Sequence, residues 1–353
     1  AISGAVFFGI LNQPNRGKAI YIVLIFPLAG VLLLVWAVRQ WLRWRRFGES
    51  VFRLTTVPGV VGGPLAGVIR TASRLDRVSE IRLRLACFER DTSGENTSEH
   101  LQWEDERILT GNVLQSGEGI PVLFNVPFDC KPTATLNASR SIVWRLEVKA
   151  AMPGTDYAAQ FEVPVFRTAQ SHADAPAPSD PAAAYEKQLE PASMAGIAVN
   201  PASGGGTEFV FGAGRNKSMG FGLTFFTVIW TGAIVFMIKL KAPMVFPIVF
   251  GLFDVLLLLG LTGVWTSASR VLADSSGLRV TSWWCFVPSN RVVPAAELQS
   301  IEPKLSMSSG STTYYDLLAI TNGGKKVKLA SSIKGKKESE WFTREIQNAL
   351  LRK

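Results

Sequence analysis

Residues 19–38, AIYIVLIFPLAGVLLLVWAV, run for twenty positions without a charged side chain and then give way to RQWLRWRR. As a helix this stretch is about 30 Å long, the thickness of a bilayer's hydrocarbon core. Tyr21 and Trp36 stand near its two ends, where amphipathic rings prefer the headgroup layer. Arg39, Arg43, Arg45 and Arg46 follow at once and are expected to meet lipid headgroups. Such a chain is expected to be an integral membrane protein, and the rest of the sequence is read around that anchor.

Residues 221–238 (FGLTFFTVIWTGAIVFMI) and 244–265 are a second and third apolar run, separated by the link KLKAP. Three spans place residues 50–217 and 268–353 on one side of a membrane. That side carries Arg39, Arg43, Arg45, Arg46, Arg53, Arg215, Lys217 and Arg270 near the spans, against Arg16, Lys18, Lys239 and Lys241 on the other. The positive-inside bias then predicts a multi-pass protein of the bacterial inner membrane with both soluble regions cytoplasmic and the N-terminus outside. Within the N-terminal tail, residues 1–18, the apolar stretch 1–11 is too short to span and has no basic region before it. It fits an interfacial or partner-contacting segment, or a disordered tail, better than a secretory signal. Pro27 and Pro247 are expected to bend their spans, and Gly260 and Gly263 to admit a neighbouring helix.

Asp254, in GLFDVLLLLG, is the sharpest polar feature of the spans. An acid at that depth costs a few kcal/mol unless protonated or paired. It is expected either to hydrogen-bond Thr227, Thr231 or Trp230 of the preceding span, to contact a partner subunit, or to serve as an ion relay. A relay wants a second ionisable group in the membrane, and the spans offer none.

The formal charge of +9 and pI near 9.6 suit a neighbour that is anionic. Because many of these charges flank apolar spans, lipid is the expected partner rather than nucleic acid. Cys87, Cys130 and Cys285 form no CxxC pair, and His100 and His172 are the only histidines. That pattern argues against a zinc ribbon, a disulfide framework or a histidine-based triad, and no metal or cofactor is expected.

From residue 50 to 167 the apolar period becomes two. Ile81, Leu83, Leu85 and Cys87 alternate with Arg82, Arg84 and Ala86, and Ile142, Trp144, Leu146 and Val148 alternate with Val143, Arg145, Glu147 and Lys149. Further strands are predicted at 51–57, 65–71, 101–109, 121–126 and 159–166. Each is expected to have one buried and one wet face, together forming an antiparallel β-sandwich. The segment IPVLFNVPFDCKPTATLNASRSIVWRLEVKAAMPGTDYAAQFEVPVF (120–166) resembles arrestin-like sandwiches, which implies an adaptor-type fold rather than a catalyst. More broadly, the layout resembles uncharacterised bacterial inner-membrane proteins in which one span precedes a β domain. The acids Glu104, Asp105 and Glu106 of WEDER could in principle do acid–base work, but neighbours on a strand point to opposite faces, which predicts a solvated edge.

Two glycine-rich stretches look like phosphate loops and fail as such. PGVVGGPLAG (58–67) lacks the GxGxxG spacing and no helical pattern follows it. GAGRNKS (212–218) has Asn216 where a glycine belongs and leads into an apolar span, so Arg215 and Lys217 are read as interfacial anchors.

Residues 168–193 are rich in Ala, Pro and Ser and open a linker, 168–217, in which 197–199 and 209–211 could form a β-hairpin. Beyond the third span, strands are predicted at 277–282, 284–288, 291–294, 298–303, 313–321 and 325–330. Asn322-Gly323 is the signature of a type I′ turn, and residues 339–351 form an amphipathic helix. Short strands closed by one helix, with phrases such as GLRVTSWWCFVPSNRVVPAAEL, resemble bacterial pleckstrin-homology-like modules attached to membrane spans. Lys325, Lys326, Lys328, Lys334, Lys336 and Lys337 are either a headgroup-facing patch, with Lys325, Lys326 and Lys328 as its lipid contacts, or a solvated edge that blocks aggregation.

The expected class is therefore an α+β membrane protein: three spans, an antiparallel sandwich and a C-terminal β domain closed by a helix. The expected role is that of a non-catalytic scaffold or accessory subunit that docks other membrane subunits. The alternatives are a transporter or channel component using Asp254, and a membrane-bound enzyme using carboxylates such as Glu104 or Asp105.

Overall fold

The computed structural model describes residues 34–351 apart from 36, 43, 56, 72–77, 94–96, 117–118, 154–155, 174–179, 181, 187–195, 203–204 and 310–311. Residues 19–33 of the first expected span therefore lie outside the described residues. The described part divides into two compact units, one spanning Leu34–Gln188 and the other the chain from Leu189 onward.

In the first unit the described residues from 34 to 47 are helical, so the described part of the Arg-rich stretch is helix. Gly48, at φ 61°, stops it by donating its N–H to the Trp44 carbonyl at 2.9 Å. Phe47, 3% exposed, drops into the core with its ring edge-on to Tyr157 at 5.2 Å. The strands that follow are β1 (Ser50–Leu54), β2 (Gly59–Val60), β3 (Gly63–Thr71), β4 (Glu80–Asp91), β5 (Ser98–Thr110), β6 (Ile120–Val126), β7 (Ala134–Thr135), β8 (Arg140–Ala150), β9 (Tyr157–Glu162) and β10 (Val165–Phe166).

One antiparallel sheet runs β1-β3-β6, and a larger one runs β5-β4-β8-β7 with β9 also on β8. Their inner faces meet in one core that includes Leu65, Phe124, Leu83, Leu85, Trp144 and Leu146. This is the expected antiparallel sandwich, and the period-two pattern placed its inward side chains correctly. The first part of the expected linker belongs to this unit. Arg107 pairs with Asp180 and, at 3.3 Å, with Glu186, while Ala182 is buried at 1% exposure.

The second unit is organised by a connection the sequence does not announce. β11 (Ile197–Pro201) and β12 (Thr207–Phe211) form the expected β-hairpin, but they are not linker. They are the first two strands of a five-stranded antiparallel sheet, β11-β12-β13-β14-β15. β13 (Ala268–Asp274) pairs with β12 from Phe211↔Ser269 to Thr207↔Ala273. The two long apolar helices, α1 (Lys217–Lys239) and α2 (Val245–Thr266), are thus inserted between two adjacent strands.

β14 (Gly277–Trp284) and β15 (Val287–Pro294) complete this sheet. A second sheet, β16 (Leu298–Ser309), β17 (Thr312–Thr321) and β18 (Lys326–Lys334), packs with it. The helix α3 (Lys336–Leu351) closes the domain and buries Phe342, Ile346 and Ala349 against Phe209, Phe211 and Val271. The domain therefore has the expected strands-then-helix order, preceded by two strands from before the helical pair.

Local chemistry departs from expectation at three turns. Asn322-Gly323 does not form a type I′ turn; the left-handed residue is Gly324, at φ 75°, whose N–H reaches the Thr321 carbonyl at 2.8 Å. The turn with both central residues at positive φ joins β14 to β15, at Cys285 (φ 48°) and Phe286 (φ 66°), inside the stretch 284–288 expected to be a strand. Pro247 falls in the first turn of α2, where a missing N–H costs no helical bond and no bend is required.

The link between α1 and α2 closes α1 with a Schellman arrangement. Ala242 N–H reaches Met237 O at 3.0 Å and Lys241 N–H reaches Ile238 O at 3.1 Å, with Lys241 at φ 56°. A side chain there costs about 1 kcal/mol relative to glycine. Lys241→Gly is accordingly expected to raise stability by roughly 0.5–1 kcal/mol, seen as a higher Tm in detergent. A lower Tm would count against this account of the cap.

Candidate functional site

The helix pair is the first candidate. Buried positions on α1 recur every seventh residue, Gly220, Thr227 and Ile234, and on α2 Pro247 and Asp254 share the same spacing. That spacing makes a narrow seam between antiparallel helices. Gly220 lies under the Trp265 indole, which would come within 2.8 Å of a Cβ there, and Trp265 Nε1 donates to Thr224 Oγ1 at 3.1 Å.

Asp254, 8% exposed, accepts from the Thr231 hydroxyl, which is 3.1 Å from each carboxyl oxygen and 2.9 Å from the Thr227 carbonyl. Of the three partners expected for Asp254, Thr231 is the one found. Thr227 turns its hydroxyl to Leu223 O at 2.8 Å, and Trp230 Nε1 points to Phe250 O at 3.3 Å. Outside the seam the helices are little buried: 6% of the apolar window of α1 and 11% of that of α2 is buried. Both helices are long and apolar enough to cross a membrane. Gly260 faces open space, and Gly263 is approached not by a helix but by Trp284, whose Nε1 would sit 3.3 Å from a Cβ there.

The acids of WEDER are not a solvated edge. Glu104 is 3% exposed and accepts from Arg84 Nε at 2.6 Å, while Arg84 Nη1 reaches Glu147 at 3.2 Å. Burial works against the Arg84 cation, yet Glu104 and Glu147 together hold its pKa above the ordinary value. Around this triad, Arg82 bridges Glu80 at 2.7 Å and Glu106 at 3.4 Å, and Arg145 grips both oxygens of Glu99 at 2.8 and 2.7 Å. Burial pushes the Glu106 carboxyl above the usual range, with Arg82 opposing.

The Phe88 ring lies under the guanidinium groups of Arg145 and Arg84, at 4.8 and 5.7 Å. The face expected to be wet is therefore a closed ionic lattice. It is built by the diagonal pairs Arg84–Glu104 and Arg82–Glu106 across β4 and β5 and by the directly opposed pair Arg84–Glu147 across β4 and β8, and its carboxylates are occupied by arginines. Asp105 points to the other side of β5 and accepts the Glu106 N–H at 2.9 Å. Among the described residues no group of three or more His, Cys, Asp and Glu could hold a metal ion.

The basic residues separate by position. Arg39 is exposed on the helix before the sandwich, Arg45 stacks on Trp41 at 5.2 Å, and Arg46 donates to Pro153 O at 2.8 Å; Arg43 lies outside the described residues. Lys325 and Lys326 sit at the β17–β18 turn. The opposite end of β18 lies beside the start of α1, where Asn216 Nδ2 donates to Ser332 O at 2.9 Å. Ser332 is six residue steps along the strand from Lys326, which is about 20 Å. That is beyond the roughly 8 Å over which exposed charges act at physiological salt. Lys328 is paired with Asp316 at 2.5 Å. Lys325, Lys326 and Lys328 are therefore not grouped with the helix ends.

What does gather at the helix ends is apolar. The β14–β15 tip exposes Trp284 (51%), Phe286 (84%) and Val287 (66%). Two side chains held at positive φ cost about 1 kcal/mol or more each, and the tip is latched to α2 by Cys285 N–H on Thr266 Oγ1 at 3.0 Å. No glycine or asparagine marks this turn, so sequence rules for β-hairpins pass over it.

No protein-family model matches the chain, and no curated protein matches it. Among solved structures, the sporulation control protein Spo0M of Bacillus subtilis is similar over 86% of this chain and 95% of its own, at 11% identity and a TM-score of 0.22.

Proposed function

We propose that the chain is a non-catalytic, membrane-anchored scaffold or accessory subunit. In this reading α1 and α2 cross a bacterial inner membrane, and their outward faces meet lipid or the helices of a partner. The sandwich and the C-terminal β domain offer docking surfaces on the cytoplasmic side, where Arg215, Lys217 and Arg270 stand against Lys239 and Lys241. The arrestin-like and pleckstrin-homology-like resemblances belong to the same reading, as adaptor folds.

The observation that carries it is the helix pair itself. Its polar seam is closed internally by Thr231 and Asp254, while most of its apolar window is not buried and is left for another phase or another protein. A relay through Asp254 is disfavoured because the described residues of α1 and α2 place no second ionisable group beside it. An enzyme built on Glu104 is disfavoured because Arg84 occupies that carboxylate.

The interfacial position of the β14–β15 tip gives a direct test. Cys87 and Cys130 are buried, and burial pushes the Cys87 thiol up to about 12, so the half-exposed Cys285 is the thiol expected to label. A fluorophore on Cys285 is expected to emit blue-shifted in vesicles and to be quenched by nitroxides placed at the headgroup level. Co-purification in mild detergent is expected to bring down a membrane partner. An unquenched probe, or a chain that stays in solution without detergent, would overturn the membrane reading. Repeated recovery of this chain alone would overturn the scaffold role.

A further inference from the structure

We propose that the cavity between the β12–α1 connection, the bulge of β18 and the last turns of α2 holds a phosphate group, supplied by an anionic phospholipid. The inference rests on the membrane reading above.

The cavity measures about 170 Å³, and its lining combines polar residues (Arg215, Asn216, Ser267, Ser331 and Ser332) with apolar ones from the two helices (Met219, Gly260, Gly263 and Val264). The lining is thus cationic and hydroxyl-bearing in part, and its apolar residues all belong to α1 and α2. Free phosphate has no use for apolar lining, whereas a phospholipid's glycerol and acyl carbons do.

Arg215 carries the recognition. Its guanidinium lies over the Phe211 ring at 5.4 Å, and its Nε is buried without a hydrogen-bond partner. Burial lowers its pKa to about 10, and Asp316 is the carboxylate that opposes this. Asp316 is already engaged, by Lys328 at 2.5 Å and by the Ser332 N–H at 2.9 Å. A buried guanidinium without its own counter-ion is costly, and a phosphodiester accepts from its fork in a bidentate way.

The opposite wall is shaped for the same purpose. The β17–β18 register slips on both sides of Leu317, and Ser332 sits at φ 54°, a conformation a serine rarely takes. Such bulges re-aim side chains beside binding sites. The start of α1 adds N–H groups at Lys217 and Ser218, with no side-chain cap from Asn216 to occupy them.

The test uses the full chain, delipidated in detergent and then offered phosphatidylglycerol, phosphatidylcholine or inorganic phosphate, with lipid retention read by native mass spectrometry. One phosphatidylglycerol per chain is expected to survive, with phosphatidylcholine and inorganic phosphate competing poorly. Arg215→Gln is expected to weaken retention about tenfold or more, as loss of charge-assisted hydrogen bonds does. Arg215→Lys should fall between, since it keeps the charge and loses the fork. Arg270→Gln, on an exposed ion pair with Glu208, should retain lipid as the unaltered chain does.

Phosphatidylglycerol is also expected to raise the Tm of the unaltered chain and of Arg215→Lys but not that of Arg215→Gln, which separates binding from folding. Equal retention by Arg215→Gln overturns the site while leaving the membrane reading intact. A response to inorganic phosphate with lipid ignored overturns the lipid as its source. A chain soluble without detergent overturns the membrane reading instead.

Discussion

Arg84→Met is expected to cost about 3–5 kcal/mol, because it strands Glu104 and Glu147 as buried carboxylates with no cation between them. The magnitude follows from asymmetry. Bringing three charges out of water is expensive, and their mutual attraction offsets that expense only while all three are present. Removing the central one leaves the desolvation and deletes the compensation. Exposed pairs on the same sheet, such as Arg140 with Asp91, should matter far less, because solvent screens them.

The triple variant Arg84→Met with Glu104→Leu and Glu147→Leu should recover most of the loss, since a packed apolar cluster replaces a closed ionic one at little net cost. Denaturant unfolding of the sandwich unit, followed through the Trp103–Trp144 pair at 5.5 Å, measures both. A single variant that loses under 1 kcal/mol would show that water reaches the triad. A triple variant as unstable as the single one would show that the lattice positions the strands rather than merely neutralising them.

That lattice marks a boundary of what the sequence discloses. Period two in β4 and β8 identifies Leu83, Leu85, Trp144 and Leu146 as inward, because alternation is a local property of one strand. Whether Arg84 on the other face meets water or Glu104 depends on register with β5. The extra residue Gln102, opposite the bulge between Cys87 and Phe88, is invisible in composition. The same distinction holds in the second unit. The length and apolarity of α1 and α2 are plain in the sequence, as is the hydroxyl–carboxyl pairing open to Asp254.

The pairing of Phe211 with Ser269 is not plain, since fifty-odd residues, most of them helical, lie between two strands that each look ordinary. In the sequence Arg215 reads as part of a failed phosphate loop and as an interfacial anchor, not as the lining of a cavity. Its cavity exists because a bulge places Ser332 beside it from the far end of the chain. The Cys285-Phe286 turn is hidden for a different reason: neither residue favours positive φ, so its conformation is imposed by its neighbours.

Excising the helical pair is expected to change the second unit's phase without unfolding it. β12 and β13 are already adjacent and antiparallel, so residues 213–267 can be replaced by Asn-Gly, the two-residue turn that such strands accept. The core of Phe209, Phe211, Leu317, Phe342 and Ile346 includes no residue of α1 or α2 and should survive intact. What is removed is the segment that favours lipid. Its Leu, Ile, Phe and Val side chains give α2 alone about 4–8 kcal/mol of insertion energy, against about 3 for Asp254.

A fragment from residue 196 onward with the helices should need detergent, and the excised fragment should run as a monomer in plain buffer with a cooperative melt. Its residual attachment to anionic vesicles, if any, should then depend on Trp284 and Phe286 at the tip, because those side chains stay exposed when the helices go. Aggregation of the excised fragment with loss of its β signal would mean that the helices hold the two sheets together. The domain would then be a cap folded on the membrane rather than a module interrupted by it.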